Sequence, residues 1–102
     1  FMCAEDVSQW NAWWTSSTKV PNDLRAQAFS SGVLLDEEET LYGFGWSLPD
    51  SQHVAHSGSW LGARTWWWRS LDGQNAVVVF NHTGSEQTTE IGSDIARRIR
   101  AQ

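Results

Sequence analysis

The clearest structural signal in the chain is the segment ARTWWWRSLDGQNAVVVF, residues 63–80. Its centre, Asp72-Gly73, is a pair of residues that favours a tight hairpin turn. The segment before it, 63–70, is rich in tryptophan, and the segment after it, 76–80, is rich in β-branched valine. Both compositions are typical of strands. These residues therefore predict an antiparallel hairpin.

A second strand-like pattern lies on the N-terminal side of this hairpin. From Thr40 to Leu48 bulky residues alternate with small ones, as in a strand with one packed face; the bulky residues are Tyr42, Phe44, Trp46 and Leu48. A further short strand is predicted over 53–57, and Gly58 and Gly62 are expected to bracket the bend that follows. The strands of the chain thus fall within residues 40–81.

Helical patterns precede these strands, in residues 1–35. Within residues 4–14 apolar side chains recur at helical spacing; they are Val7, Trp10 and Trp14. Pro21 suits the first turn of a second short helix, whose inner side would carry Leu24 and Ala28. The acidic residues 36–39 are expected to form an exposed connection to the first strand.

A third helix is predicted over residues 86–101. An apolar stripe recurs every four residues, and acidic residues early and basic residues late match the helix dipole; the stripe consists of Ile91, Ile95 and Ile99. Strands grouped together with helices outside them predict a single α+β domain. It would contain a small antiparallel sheet of three to four strands, with the N-terminal helices and the C-terminal helix packed on it.

Composition excludes several classes of function. Seven basic and twelve acidic residues in a chain of 102 give a formal net charge of −5, which does not suit nucleic-acid binding. No apolar run is long enough for a membrane span, and the first residues do not have the pattern of a signal peptide. Cys3 is the only cysteine, so an internal disulfide and a cysteine-based zinc site are excluded. The compartment is left open.

The histidines do not predict a metal site. His53 and His56 are three residues apart, so on a strand their side chains point to opposite faces. No carboxylate at ligand spacing joins them or His82. We therefore expect ordinary surface histidines, no metal and no cofactor.

The order of short motifs resembles that of the serine β-lactamase-like family, which includes class C β-lactamases, penicillin-binding-protein-like esterases and D-aminopeptidases. Residues 1–10 are similar to the Ala-Glu-Asp helix start of these proteins. Tyr42-Gly43-Phe44-Gly45-Trp46 matches their Tyr-Gly-x-Gly-Trp strand, and His56-Ser57-Gly58-Ser59 lies where they carry Lys-Thr-Gly or His-Ser-Gly. The hairpin at Asp72-Gly73, the valine-rich strand and the last helix follow in the same order. The resemblance covers nearly the whole chain.

This resemblance implies a substrate-binding role for residues 56–59. His56 and Ser57 would face the carboxylate or ester group of an acyl or peptide-like substrate. Gly58 belongs to the same substrate-binding set, and the backbone N–H of Ser59 would donate to the oxyanion. Relatives of this kind are often periplasmic or exported.

The nucleophile of the family has no match in this sequence. The family uses a serine with a lysine one helical turn later, together with a Tyr-x-Asn motif. The only Ser-x-x-Lys here begins at Ser16 and ends at Lys19, and Pro21 follows two residues later, where it would interrupt the required helix. We expect no catalytic residue in the chain by itself.

The run Trp66-Trp67-Trp68 allows two interpretations. On a strand, Trp66 and Trp68 share one face and Trp67 points to the other. One face would form the core, and the other would form a subunit interface or an aromatic surface for a ligand. A homo-oligomer, most simply a dimer, is the expectation.

Three hypotheses for function follow from these patterns. The first is a non-catalytic or truncated portion of a β-lactamase-like serine hydrolase. The second is a binding module that holds a small acyl or peptide-like ligand with the His-Ser-Gly strand and a tryptophan-rich surface. The third is one half of a split hydrolase, with the nucleophile on another polypeptide.

Overall fold

The architecture is α+β, as predicted. A computed structural model describes residues 2–32 and 39–102, and this part of the chain contains three helices and one three-stranded antiparallel sheet. The elements are α1 (Ala4–Ser16), α2 (Asn22–Ala28), β1 (His53–Trp60), β2 (Ala63–Ser70), β3 (Ala76–Asn81) and α3 (Thr88–Arg100). The predicted acidic connection lies outside the described residues, apart from its last residue.

The sheet has β2 at its centre and β1 and β3 at its edges. The predicted hairpin at 63–80 is confirmed, because β2 and β3 pair in antiparallel register with Trp68 opposite Val77. β1 pairs with β2 through a tighter turn than predicted. That turn is formed by Leu61 and Gly62, which both have positive φ angles, and Gly58 lies within β1 rather than at the bend.

The predicted strand from Thr40 to Leu48 is wrong. The chain reverses direction around Gly45, whose φ of +82° is in the region that favours glycine, and the Gly43 N–H donates to the Trp46 carbonyl across this turn. Only isolated bridges remain, from Ser47 to Tyr42 and to Ala55. Alternation of bulky residues and glycine therefore marks a tight loop here, and of its aromatic residues only Trp46 is buried.

One face of the sheet packs against α3. Trp66, Trp68 and Val77 form the core there together with Ala96 of the helix. Gly92 is where the helix comes closest, because a Cβ atom at this position would overlap the ring of Trp66. The buried stripe of α3 is Thr88, Gly92 and Ala96.

The predicted isoleucine stripe of α3 lies beside this buried stripe. Ile91 and Ile95 are 47% and 42% exposed, so these two members of the stripe do not form the inner face of the helix. Ile99 is partly buried against the core. The physical reason is the bulk of Trp66, which leaves room under the helix for a glycine and not for a β-branched side chain.

The other face of the sheet is covered by aromatic residues from the N-terminal helices and the loop before β1. Trp14, Phe29, Trp46 and Trp67 form an aromatic cluster with ring centroids 5.2–6.1 Å apart. This cluster joins α1, the end of α2, the loop and β2. Such pairs add favourable edge-to-face contacts to the burial of their large surfaces.

The remaining predictions for the N-terminal helices are confirmed in part. Val7 and Ala28 are buried as expected. Trp10 is more exposed and stacks on Trp13 at 4.9 Å, and Leu24 is exposed rather than on an inner side.

Arg69 ties α1 to the sheet. Its side chain is fully buried, donates one hydrogen bond to Thr15 Oγ1 at 2.9 Å, and lies over the ring of Phe29. Burial lowers the pKa of this guanidinium, the nearby charge of Asp72 opposes that shift, and the charge of Arg25 reinforces it. A buried cation is costly to desolvate, so this contact is weak evidence for stability.

No helix in residues 2–32 and 39–102 is long and apolar enough to cross a membrane.

Candidate functional site

The outer edge of β1 exposes backbone donors at Ser57 and Ser59. Ala55 exchanges backbone hydrogen bonds with Ser47 at 2.9 and 2.7 Å, so the main-chain groups of Ala55 point away from β2. In an antiparallel strand every second residue faces the same side, so Ser57 and Ser59 direct their N–H and C=O groups the same way. Beyond Ser47, none of the described residues pairs with this open edge of β1.

His56 lies beside this edge on the face that carries the aromatic cluster. Its Nδ1 is 3.4 Å from the hydroxyl oxygen of Tyr42, and both side chains are exposed. Tyr42 reaches His56 because the reversal around Gly45 returns the loop to β1. The sequence did not predict this contact, and it contained no signal that could have.

The predicted site residues His56, Ser57, Gly58 and Ser59 are all exposed and consecutive on β1. Their side chains alternate, so His56 and Gly58 lie on the aromatic face, and the two serine side chains lie on the α3 face. A Cβ atom at Gly58 would come 3.0 Å from Thr65 Oγ1, a tight contact with the neighbouring strand. The arrangement offers backbone N–H donors and an imidazole along one accessible edge.

The literal Ser-x-x-Lys segment does not form a nucleophile site. Ser16 is the last residue of α1, and its hydroxyl donates to the Ala12 carbonyl at 2.9 Å. Ser17 has extended backbone, so Lys19 lies beyond the end of the helix. The two side chains are therefore not presented on one helical face, as the position of Pro21 predicted.

His53 and His56 point to opposite faces, as predicted. The ring of His53 stacks on Trp68 at 4.6 Å on the α3 face and contacts Asp50 Oδ1 at 2.7 Å. Within the described ranges, no three His, Cys, Asp or Glu side chains are placed to hold a metal ion.

Asp50 links the start of β1 to the end of α3. Asp50 Oδ1 accepts a hydrogen bond from the Gln52 N–H. Asp50 Oδ2 lies 3.2 Å from Arg100 Nη2. Burial acts to raise the pKa of Asp50, but the Gln52 N–H, the His53 ring and Arg100 outweigh it and hold the pKa below its ordinary value.

Asp50→Asn is expected to destabilise the fold by about 1–2 kcal/mol at neutral pH. A depressed carboxyl pKa gives stability that is present above the unfolded pKa of about 3.9 and is lost as pH falls through the folded value. The difference between wild type and variant should therefore shrink below about pH 4. Urea unfolding between pH 7 and pH 3 measures this.

A suitable control for that experiment is Asp94→Asn. Asp94 also pairs with an arginine, Arg97 at 2.6 Å, but on the exposed surface of α3. Exposed pairs of this kind contribute about 0–1 kcal/mol. Equal losses for the two variants, or a constant difference across the pH range, would contradict the role assigned to Asp50.

Two of the three tryptophans of β2 are buried within the chain. Trp66 and Trp68 are buried under α3, so their face of the strand forms the core. The aromatic surface or subunit interface expected on the other face stays a prediction. Trp67 is partly buried against Trp46, at a centroid distance of 5.5 Å. α3 covers the first pair because its glycine lets it approach the sheet closely.

An exposed tryptophan does occur beside the site, at Trp60. It is 78% exposed at the end of β1, directly after Ser59, and is followed by the exposed Leu61. Its place two residues before Gly62, a glycine expected at a bend, was the sequence signal for it.

The comparisons with known proteins give no relative for this fold and site. No protein-family model, no curated protein and no solved structure matches the chain. The likeness to β-lactamase-like hydrolases therefore rests on the motifs quoted above and on their order along the chain.

Proposed function

We propose that this chain forms the substrate-binding strand of a β-lactamase-like serine hydrolase site and does not cleave substrates alone. The observation that carries the proposal is the open edge of β1. At this edge the N–H groups of Ser57 and Ser59 point outward beside His56. Elsewhere in the chain, the only Ser-x-x-Lys segment is interrupted by the end of α1 and offers no nucleophile.

Backbone donors on a rigid strand suit the stabilisation of an oxyanion. The strand fixes the N–H direction through its pairing with β2, so little reorganisation accompanies the development of charge. Donors without an activated nucleophile can hold an acyl group but cannot form a covalent intermediate. The proposed chemistry therefore needs a serine and its base from residues outside this sequence, on the same or another polypeptide.

The purified chain is expected to show no turnover of nitrocefin or p-nitrophenyl butyrate above that of an equimolar amount of free imidazole. Mass spectrometry after incubation with these compounds should detect no acyl adduct. His56→Ala and Ser57→Ala should have the same background rate as wild type. Hydrolysis that either substitution abolishes, or an adduct on any hydroxyl, would refute the proposal.

The donor role itself is tested in a chimera. Residues 42–81 replace the matching segment of an active penicillin-binding-protein-like esterase, and Ser59→Pro is compared with Ser59→Ala. Proline removes only an outward N–H, which an edge strand tolerates, whereas alanine keeps it. We expect Ser59→Pro to lower kcat by about 10²–10³-fold relative to Ser59→Ala. Equal activity of the two variants would rule out Ser59 as the oxyanion donor.

A second candidate function is a binding module for a small acyl or peptide-like ligand. The exposed Trp60, directly after Ser59, favours it because an aromatic side chain beside an open strand edge can pack on a bound peptide. Titration of the chain with the compounds of the turnover test distinguishes the two functions. Saturable quenching of tryptophan fluorescence that Trp60→Phe changes would support binding, and a flat titration would remove this candidate.

A further inference from the structure

The second edge of the sheet, on β3, lacks the features that protect exposed strands. The strand reads Ala-Val-Val-Val-Phe-Asn and has no charge, no proline and no bulge in its register with β2. Exposed edges of natural sheets normally carry at least one such device, because an unprotected edge pairs with other strands. Among residues 2–32 and 39–102, no strand covers this side of β3.

The main-chain groups of Ala76, Val78 and Phe80 face this open edge. The Ser70 N–H donates to the Asn75 carbonyl at 2.9 Å. The main-chain groups of Asn75 therefore point toward β2 and away from the open edge. By the alternation of antiparallel strands, Val77 and Val79 also face β2, and the residues between them face outward.

Exposed apolar side chains flank this edge on the α3 face. Arg100 reaches Asp50 before β1, so one flank of α3 faces that side of the sheet. Ile91 and Ile95 lie on the opposite flank, toward β3.

The opposite face of β3 also presents apolar surface at this edge. There Val78 and the half-exposed Phe80 line a groove of about 380 Å³ against Ala4 and Val7 of α1. The edge is thus bordered by apolar surface above and below.

We propose that the occupant of this edge is a second copy of the chain, paired β3 to β3 around a two-fold axis at Val78. In that antiparallel register Val78 lies opposite Val78 of the other copy, and Ala76 lies opposite Phe80. The three residues with outward main-chain groups then all pair, so the register is self-complementary, as a two-fold interface requires. The sheets of the two copies become one continuous sheet.

Charge on α3 favours a second copy as the occupant. The two-fold axis places the α3 helices side by side and antiparallel on the same face of the joined sheet. Asp94 in the acidic half of one helix then lies along Arg98 in the basic half of the other. Arg98 forms no ion pair with any of the described residues. Ile91 and Ile95 of each copy would lose their exposure between the helices.

Cysteine cross-linking tests the register directly. In a Cys3→Ser background, Val78→Cys places two thiols on paired residues, whose Cα atoms are about 5.5 Å apart in a hydrogen-bonded pair and within reach of a disulfide. Ala76→Cys is the matched control, because its two copies are displaced by about 13 Å along the strands. We expect oxidation to give a covalent dimer with Val78→Cys and only monomer with Ala76→Cys.

Sedimentation velocity on the unmodified chain supplies the second measurement. The mass should rise from 11.5 kDa toward twice that value between about 1 and 200 µM protein, since association depends on concentration. Ile95→Lys should weaken the association at least about tenfold, equivalent to 1.4 kcal/mol, whereas Leu61→Lys, on the turn between β1 and β2, should not change it.

Each other outcome overturns the proposal. A monomer at all concentrations means that β3 accepts a strand of a different polypeptide or none. A dimer that cross-links through Ala76→Cys, or through neither cysteine, uses another register or surface. None of these results depends on catalysis, so they are separable from the test of the β1 edge.

Discussion

Replacing Gly92 with alanine is expected to destabilise the protein by about 2–4 kcal/mol. The added Cβ atom would overlap the six-membered ring of Trp66, which is itself buried between the sheet and α3. In an exposed helix the same change stabilises by about 1 kcal/mol, because alanine has the higher helix propensity. The two effects have opposite signs, so the direction of the change shows which one dominates. We expect packing to dominate, since α3 must lift from the sheet to make room.

Urea unfolding of Gly92→Ala beside Ser93→Ala measures this effect. Ser93 is the next residue of α3, and its substitution tests helix propensity without contact with Trp66. Combining Gly92→Ala with Trp66→Val should recover part of the loss, because the smaller side chain vacates the space that the methyl group needs. A variant Gly92→Ala as stable as wild type, or more stable, would show that α3 does not approach β2 as closely as described.

Periodicity alone does not determine which face of α3 is buried. Both the isoleucine stripe and the stripe of Gly92 and Ala96 repeat every four residues, so both fit a helix equally well. Hydrophobicity favours the isoleucines. The choice between the stripes depends on Trp66, which is distant in sequence and fills the space under the helix. Such pairing of a large with a small residue appears only when the two elements are placed together.

Local signals were sufficient for the hairpin from 63 to 80. Asp72-Gly73 fixes the turn, and the flanking β-branched and aromatic residues fit strands. The prediction of a strand from Thr40 to Leu48 was wrong because glycine is compatible with two different structures. It is a small residue on the open face of a strand, and it is also the residue that adopts positive φ, as Gly45 does.

The candidate site could also be predicted only in part, because only some of its features depend on local sequence. His56 to Ser59 are consecutive, so their exposure on one strand follows from a correct strand assignment. The contact between Tyr42 and His56 depends on the loop reversal, and the direction of the Ser57 and Ser59 N–H groups depends on which neighbour Ala55 bonds. Neither is encoded in local pattern.

Trp46→Ala is expected to have the largest effect on stability, a loss of about 3–5 kcal/mol. Trp46 is the buried centre of the aromatic cluster, and its ring contacts Trp14, Phe29 and Trp67 at centroid distances of 6.1, 6.0 and 5.5 Å. These three rings come from α1, the end of α2 and β2. Removing the central ring therefore leaves a cavity where the helical segment joins the sheet. Against a typical total of about 5–15 kcal/mol, that loss can unfold the protein at moderate temperature.

The matched control for Trp46→Ala is Trp60→Ala. It removes the same side chain from an exposed position, and surface substitutions of this kind change stability by about 0.5 kcal/mol or less. Thermal and urea unfolding of the two variants give the comparison. On heating Trp46→Ala, the near-ultraviolet circular dichroism of the aromatic residues should be lost at a lower temperature than the far-ultraviolet signal of the secondary structure. If the two substitutions cost the same, the aromatic cluster does not join the N-terminal helices to the sheet. The open edge of β1 would then lack the support that holds Tyr42 beside His56.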